Sequence, residues 1–230
     1  MEAEKHYRHE MKYDIPYGEY LAMRGRLRTV MRPDPHASKD GLYQIRSIYF
    51  DNIDDKALRE KVDGVARREK FRIRYYNDDF SFITLEKKMK IDSLCLKYDA
   101  AVTEAECRRI LAGDLDWMKD HPQSLVQELY AKMQYQRLRP RVLVSYVREP
   151  YIYHAGNVRV TFDSAIRTTL FQQDFLTPQV LDVSATDTPE DRILEVKYDA
   201  FLPEIIQDLI QAPGLRQQAF SKYGACRRFG

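Results

Sequence analysis

The chain has 230 residues, 44% of them hydrophobic, enough for a sizeable core in one large domain or two small ones. Its 37 basic and 35 acidic residues leave a formal net charge of only +2, which speaks against nucleic acid as a partner, so any polyanion site must come from local arrangement. Cys95, Cys107 and Cys226 are scattered, with no CxxC and no histidine at ligand spacing, which argues against a disulfide framework or a zinc site and suits a reducing cytosol. The start, Met1-Glu-Ala-Glu, lacks the apolar segment of a signal peptide, and no apolar run approaches the roughly 20 residues of a membrane span. The expectation is a soluble cytoplasmic protein, with a separately encoded membrane partner still compatible.

In chain order, residues 6–13 read as a strand with Arg8, Glu10 and Lys12 on one face. A helix over 17–31 follows Pro16, its apolar stripe formed by Tyr20, Met23, Leu27, Val30 and Met31. The Pro-rich stretch 32–41 reads as a mobile loop, 43–51 as a strand and 54–61 as a short helix. Residues 67–90 form a hairpin turning at Asn77-Asp78-Asp79. Lys70, Arg72 and Arg74 share one face of it, opposite Phe71, Ile73 and Tyr75; after the turn Thr84, Glu86 and Lys88 oppose Ile83, Leu85 and Met89. A strand over 94–102 carries Lys97, and Thr103-x-x-Glu106 reads as a capping box opening a helix that closes at Gly113. The stretch 121–138 is amphipathic. Strands at 141–149 and 158–163 flank a turn through Gly156-Asn157, and after a polar turn at 187–191 a strand at 192–198 sets Glu195 and Lys197 on one face. Pro203 opens a helix to about Gln211, and the basic end at Arg227-Arg228 reads as a solvated helix terminus.

Five strands thus carry charged residues two or four apart on one face, opposite a mostly apolar one: Arg8/Glu10/Lys12, Lys70/Arg72/Arg74, Glu86/Lys88, Arg159/Asp163 and Glu195/Lys197. One such face alone is the wet side of an antiparallel sheet. Five of them, with several helices to cover the apolar faces, predict an α+β fold in which strands close into an antiparallel barrel with a charged lumen. Facing cations repel and lose solvation, which a bound polyanion relieves. Arginine suits bidentate phosphate contacts, lysine supplies a point charge, and glutamates among them suit Mg²⁺ or Mn²⁺ bridging to phosphate.

The ordered set Arg8-His-Glu-Met-Lys-Tyr, Ser47-Ile-Tyr-Phe-Asp-Asn, Lys70-Phe-Arg-Ile-Arg, Leu85-Glu-Lys-Lys, Tyr146-Val-Arg, Val158-Arg-Val-Thr-Phe-Asp, Leu194-Glu-Val-Lys-Tyr and Ser221-Lys-Tyr runs across nearly the whole chain. It resembles the VTC-type polyphosphate polymerase domain, a branch of the CYTH/triphosphate tunnel metalloenzyme superfamily. The resemblance implies a single β-tunnel domain over 1–230 that moves the γ-phosphate of ATP onto a growing polyphosphate chain. Carried over residue by residue, Lys12, Arg72, Arg74, Lys88, Arg148, Arg159 and Lys222 bind phosphates, with Lys97 and Lys197 as further ligands. Lys12, Arg72, Arg74, Lys88 and Lys222 are the catalytic set, and Glu195, helped by Glu10 and Glu86, holds the metal.

Hydrolytic members of that superfamily begin with an ExExK strand, whereas here the first acidic position is Arg8, which favours the polymerase branch. The chain has neither a Walker-type loop nor a Ser/His/Asp triad, and phosphoryl transfer needs neither when the chain end is the nucleophile. The alternatives are a triphosphate or polyphosphate hydrolase in the same tunnel and a non-catalytic polyphosphate or nucleotide sensor. The five histidines, His6, His9, His36, His121 and His154, read as structural, as does Trp117.

Overall fold

The structure, a computed structural model, describes residues 7–92, 94–169, 175–178, 180–186, 190 and 192–229. Its centre is a ten-stranded antiparallel sheet. The strands are β1 (His9–Ile15), β2 (Arg32–Pro33), β3 (Tyr43–Asp51), β4 (Arg67–Tyr76), β5 (Asp79–Ile91), β6 (Leu94–Val102), β7 (Arg139–Tyr153), β8 (Val158–Thr169), β9 (Val183–Ser184) and β10 (Arg192–Tyr198). Their spatial order is β1-β10-β8-β7-β3-β4-β5-β6, with β2 added to β7 and β9 to β8. The helices are α1 (Tyr17–Leu27), α2 (Lys56–Val62), α3 (Glu104–Ala112), α4 (Ser124–Tyr135), α5 (Glu204–Leu209) and α6 (Lys222–Cys226).

The α+β class is as expected, but the ladder stays open among the described residues. Its edges, β1 and β6, meet at one antiparallel bridge, where Arg8 and Cys95 exchange backbone hydrogen bonds of 3.2 Å. Across the same gap the Lys88 ammonium reaches Glu10 Oε2 at 2.5 Å.

The alternation read in the hairpin holds. Phe71, Ile73 and Tyr75 pack with Ile83 and Leu85 under α3 and α4, which contribute Ile110, Leu125, Leu129 and Met133 to the same core. A second core places α1 and α5 over β1, β8 and β10 through Met23, Leu27, Ile206, Phe162, Leu194 and Val196. With helices on those faces, the charged side chains of β4, β5 and β10 lie on the other. The Asn77-Asp78 turn has both residues in the left-handed region (φ 52° and 54°), the tight hairpin geometry that Asn and Asp tolerate. The capping box forms as read: Glu106 N–H donates to Thr103 Oγ1 at 3.2 Å, Thr103 N–H donates to Glu106 Oε2 at 2.7 Å, and Gly113 closes α3 at φ 80°.

Several boundaries move for identifiable reasons. Helix α1 ends at Leu27 rather than 31: residues 28–30 continue only as a turn, and Arg32 and Asp34, each before a proline, are pushed to extended backbone so the helix does not resume. The stretch 32–41, expected to be mobile, is tied down: Arg32–Pro33 pairs with Tyr151 and Ile152, and buried Asp34 accepts from Arg159 at 2.7 Å. Strand β7 continues through Pro150 to Tyr153, and β8 runs to Thr169. The first residue of the expected strand 6–13, with His6, and 187–189 and 191 of the polar turn lie outside the described residues. Arg227 is not solvated; its guanidinium is buried against Asp55 at 2.5 Å.

That contact belongs to a latch holding α6 to the sheet. The Tyr223 hydroxyl donates to Asp51 at 2.6 Å, and Asp51 also accepts from the backbone N–H of Ala57 and Leu58 in the first turn of α2. With the Asn52 N–H, which also donates to it, Asp51→Ala strips four donors of a buried acceptor. The unfolding free energy should fall by about 2–4 kcal/mol, and hydrogen exchange should quicken in 221–226 before the rest of the sheet. Uniform exchange would show that α6 is held by packing alone.

Candidate phosphate-binding cavity

The charged strand faces converge on a cavity of about 460 Å³. Among the described residues, its wall holds eleven basic side chains and two carboxylates, Glu10 and Glu195. Strands β4 and β5 supply Arg72, Arg74 and Lys88, β7 supplies Arg148, β1 and β10 supply Lys12 and Lys197, and α6 supplies Lys222. Tyr49, Tyr146 and Tyr223 complete the wall with the segment 217–221.

The cations are held by a lattice of carboxylates. Asp163, fully buried, takes Arg148 in a two-pronged pair at 2.6 and 2.7 Å and the Lys222 ammonium at 2.5 Å. Arg148 also donates to Glu195 at 2.9 Å. Glu195 takes Lys197 at 3.2 Å and Lys12 at 3.6 Å, while Glu10 takes Lys12 at 3.0 Å and Lys88 at 2.5 Å. Buried Glu86 clamps Arg72 at 2.6 Å from behind the wall; Arg74 is aimed by Ser47 and the Tyr146 hydroxyl at 3.0 and 3.1 Å.

Burial works against every one of these charges, and the partners decide the outcome. Lys12, Lys88 and Lys197 override burial at Glu10 and hold it well below the usual carboxylate range. Glu195 is likewise lowered despite burial by Lys197, Lys12 and Arg148. Lys197 goes the other way: burial outweighs its glutamate partners and brings it down to about 8. Lys70 falls to about 7, through burial and then the nearby charges of Lys12, Arg68, Lys61 and Lys88.

Of the side chains singled out from sequence, Lys12, Arg72, Arg74, Lys88, Arg148, Lys197, Lys222, Glu10 and Glu195 come together on this wall. Arg159 does not: it is bound to Asp34 and the Tyr43 hydroxyl at 2.7 and 2.5 Å. Lys97 is half exposed, pairing with Glu86 and Asp99 at 3.0 and 3.6 Å, and Glu86 spends its oxygens on cations. Arg8 turns away to Asp199 at 2.9 Å. Sequence reading missed Lys61, Arg68, Lys70 and Lys90 as site residues. Three of them continue the alternation of Arg72/Arg74 and Lys88; Lys61, on α2, leaves no such signal. Asp163 had been placed on a charged face without a role.

Among the described residues no group of three His, Cys, Asp or Glu converges to hold a metal ion. Glu10 and Glu195 are near neighbours, since the Lys12 and Lys197 ammoniums each lie within 3.9 Å of both. Two carboxylates fit a hard divalent cation that takes its remaining oxygens from phosphate and water.

The VTC domain model matches residues 7–229. The chain belongs to the VTC domain family. No curated protein sequence matches it. Among solved structures, it is similar to a proposed adenylyl cyclase from Hippeastrum reported to have a dominant triphosphatase activity (TM-score 0.53, 11% identity, 97% of this chain and 96% of that one). It is also similar to a proposed adenylate cyclase from Bacillus halodurans (0.51, 13%, 85% and 82%) and to a protein from Pyrococcus horikoshii (0.50, 11%, 97% and 99%). At such identities the likeness establishes a shared fold.

Lys70 gives a test of the cavity's electrostatics. Its folded pKa of about 7 lies below the ordinary 10.5, so between those values the unfolded chain binds a proton that the folded one does not. The cost to stability is absent above pH 10.5, grows as pH falls, and is complete below about pH 7. Lys70→Met should therefore raise the unfolding free energy by on the order of 2 kcal/mol at pH 7, with a smaller gain at pH 9 in urea titrations. An equal gain at both pH values would place the lysine outside the repulsive cluster.

Proposed function

We propose that this chain is a metal-dependent polyphosphate polymerase, a single tunnel domain that transfers the γ-phosphate of ATP to the end of a polyphosphate chain. The observation that carries the reading is a cavity walled by cations from both ends of the sheet and from α6, with only two carboxylates on its wall among the described residues. Membership of the VTC domain family supports it, as does the reported triphosphatase activity of the Hippeastrum neighbour for triphosphate chemistry in this fold. Arg8, which pairs with Asp199, stands where hydrolytic members carry the first acidic residue of ExExK, so fewer carboxylates are present to activate a water. Three free cysteines suit a cytoplasmic setting, and among the described residues no helix is long and apolar enough to cross a membrane. In this reading the edges β1 and β6 complete a barrel through the Arg8–Cys95 bridge and the Lys88–Glu10 pair.

In the mechanism, Arg72, Arg74, Arg148, Lys12, Lys88 and Lys222 grip the phosphate oxygens and line up donor and acceptor. The terminal oxygen of the polyphosphate chain attacks the γ-phosphorus; the bond to the β–γ bridging oxygen breaks and ADP leaves with the electron pair. The nucleophile is already anionic, so no general base is needed. The cations offset the charge gathered on the equatorial oxygens, and Glu86 and Asp163 keep them aimed, so little reorganisation accompanies the reaction. Lys197 on the wall and half-exposed Lys97 at its margin extend the phosphate contacts, whereas the Arg159 guanidinium is taken up by Asp34 and Tyr43. Glu195 and Glu10 would hold Mn²⁺ or Mg²⁺, which would supply further neutralisation of phosphate charge, while Glu86 stays committed to Arg72 and Lys97.

Purified protein incubated with ATP and Mn²⁺ should yield polyphosphate ladders on a stained gel, with ADP, and chelation by EDTA should abolish them. Free phosphate without polymer would make the chain a hydrolase; neither product with tight polyphosphate binding would make it a sensor. Glu195→Gln should lower turnover about 10²-fold while polyphosphate affinity is kept or rises, since a negative charge has left a basic wall.

A further inference from the structure

The cations of the cavity fall into two groups. Lys12, Arg72, Arg74, Lys88, Arg148, Lys197 and Lys222 each have a carboxylate within 4.0 Å. Lys61, Arg68, Lys70 and Lys90 also line the cavity, and among the described residues none of them has an ion pair.

The register shows that this is built into the sheet. Along β4 and β5, Arg72 faces Glu86 as an opposite-charge pair, but the next two rungs on that face are Lys70 opposite Lys88 and Arg68 opposite Lys90. Like charges directly opposite each other destabilise a strand pair. At about 3.3 Å per residue the two rungs lie roughly 7 Å apart along the strands. On β6, Lys97 extends the Lys70–Lys88 rung to a third strand. From α2, Lys61 joins the same end of the cavity. The four residues are half-buried, the Arg68 guanidinium donates to the Val65 carbonyl at 2.6 Å, and the Lys70 ammonium sits 4.8 Å from the centre of the Tyr223 ring. Burial first, and then the charges of Lys12, Arg68, Lys61 and Lys88, lower the Lys70 pKa, in keeping with this crowding. The opposite end holds Asp163, Glu195, Arg148 and Lys222, where every charge is matched.

We infer that this unpaired basic rim, Lys61, Arg68, Lys70 and Lys90, is a second subsite that grips a linear polyphosphate chain beyond the reacting phosphates and makes binding favour long chains over triphosphate. The inference rests on the reading that the cavity takes inorganic polyphosphate. A flexible chain with a charge on every phosphate can run across successive like-charge rungs and relieve both. The rim offers no free aromatic face for a base, since the Tyr223 ring is already covered by Lys70. The gradient from matched to unmatched charge also sets a direction, with the reacting end at Glu10 and Glu195 and the rest of the chain along β4 and β5 toward Arg68 and Lys90.

The test is equilibrium binding of tripolyphosphate and of long-chain polyphosphate to the full chain and to the triple variant Lys61→Ala/Arg68→Ala/Lys90→Ala, measured without nucleotide. The variant should lose about 10- to 100-fold in long-chain affinity and less than about threefold for tripolyphosphate. Its salt dependence for the long chain should also weaken, the log–log slope shrinking by roughly two. Because the substitutions remove repulsion, the melting temperature should stay equal or rise, and a fall would contradict the like-charge argument itself. Equal losses for both ligands, no loss for either, or single-stranded RNA bound as tightly as long-chain polyphosphate would overturn the rim. If the unaltered protein bound neither phosphate ligand, the polyphosphate reading would fall as well. Retained long-chain binding in the variant would remove the rim alone.

Discussion

Arg148 and Asp163 face each other across β7 and β8, both deeply buried, and the rest of the interior is arranged around that pair. Asp163 gives its second contact to Lys222, so the C-terminal helix is held to the sheet by the same carboxylate that fixes the arginine. Arg148 reaches on to Glu195, and Glu195 to Lys197 and Lys12, so five separate elements share one chain of charges. Burying such groups is unfavourable unless each is met, and removing one partner of a buried pair typically costs about 3–5 kcal/mol. The network is thus poor as a source of stability but strong as a means of specification, because few other arrangements of these strands satisfy every charge.

The same reasoning separates groups that build the cavity from groups that await a ligand. Where carboxylates match cations, guanidinium and ammonium groups are fixed in position and their charge is partly offset, so a bound anion there is selected by geometry. Where no carboxylate is supplied, the positive potential is uncompensated, and an anion gains most from entering. A cavity containing both kinds of wall can hold one part of a polyanion in register and attract the remainder with less regard for position. Glu86 and Asp163 illustrate the first function from behind the wall: neither needs to touch a ligand to decide where Arg72, Arg148 and Lys222 point.

Much of this was legible in the sequence because strand alternation is a local property. Arg72, Arg74, Lys88, Glu195 and Lys197 could be assigned to one face by counting alone, and the helices needed to cover the other face turned the charges inward. What could not be read were contacts set by tertiary placement. Arg159 has the same alternation as its neighbours, yet the 32–41 stretch brings Asp34 to it and occupies its guanidinium. Arg8 stands at the end of its strand, where Asp199 is closer than the cavity. Lys61 sits on a seven-residue helix with no buried residue, so nothing in its periodicity marks it. Lys70 and Arg68 were visible as cations, but their lack of partners becomes meaningful only once the register places Lys88 and Lys90 opposite them.

The two free edges of the sheet bear on how a polymer could pass. An exposed edge normally invites pairing with another chain, and proteins blunt it with charge or cover. Here β1 and β6 turn toward each other and share one backbone bridge, Arg8–Cys95, while Lys88 and Glu10 meet across the seam. A seam held by one backbone bridge and a side-chain ion pair differs from a closed ladder in one respect: an anion that competed for Lys88 would weaken the link between β5 and β1. The groups that would bind the phosphate chain in the proposed reading are therefore among those that hold the edges together, Lys88 through its pair with Glu10.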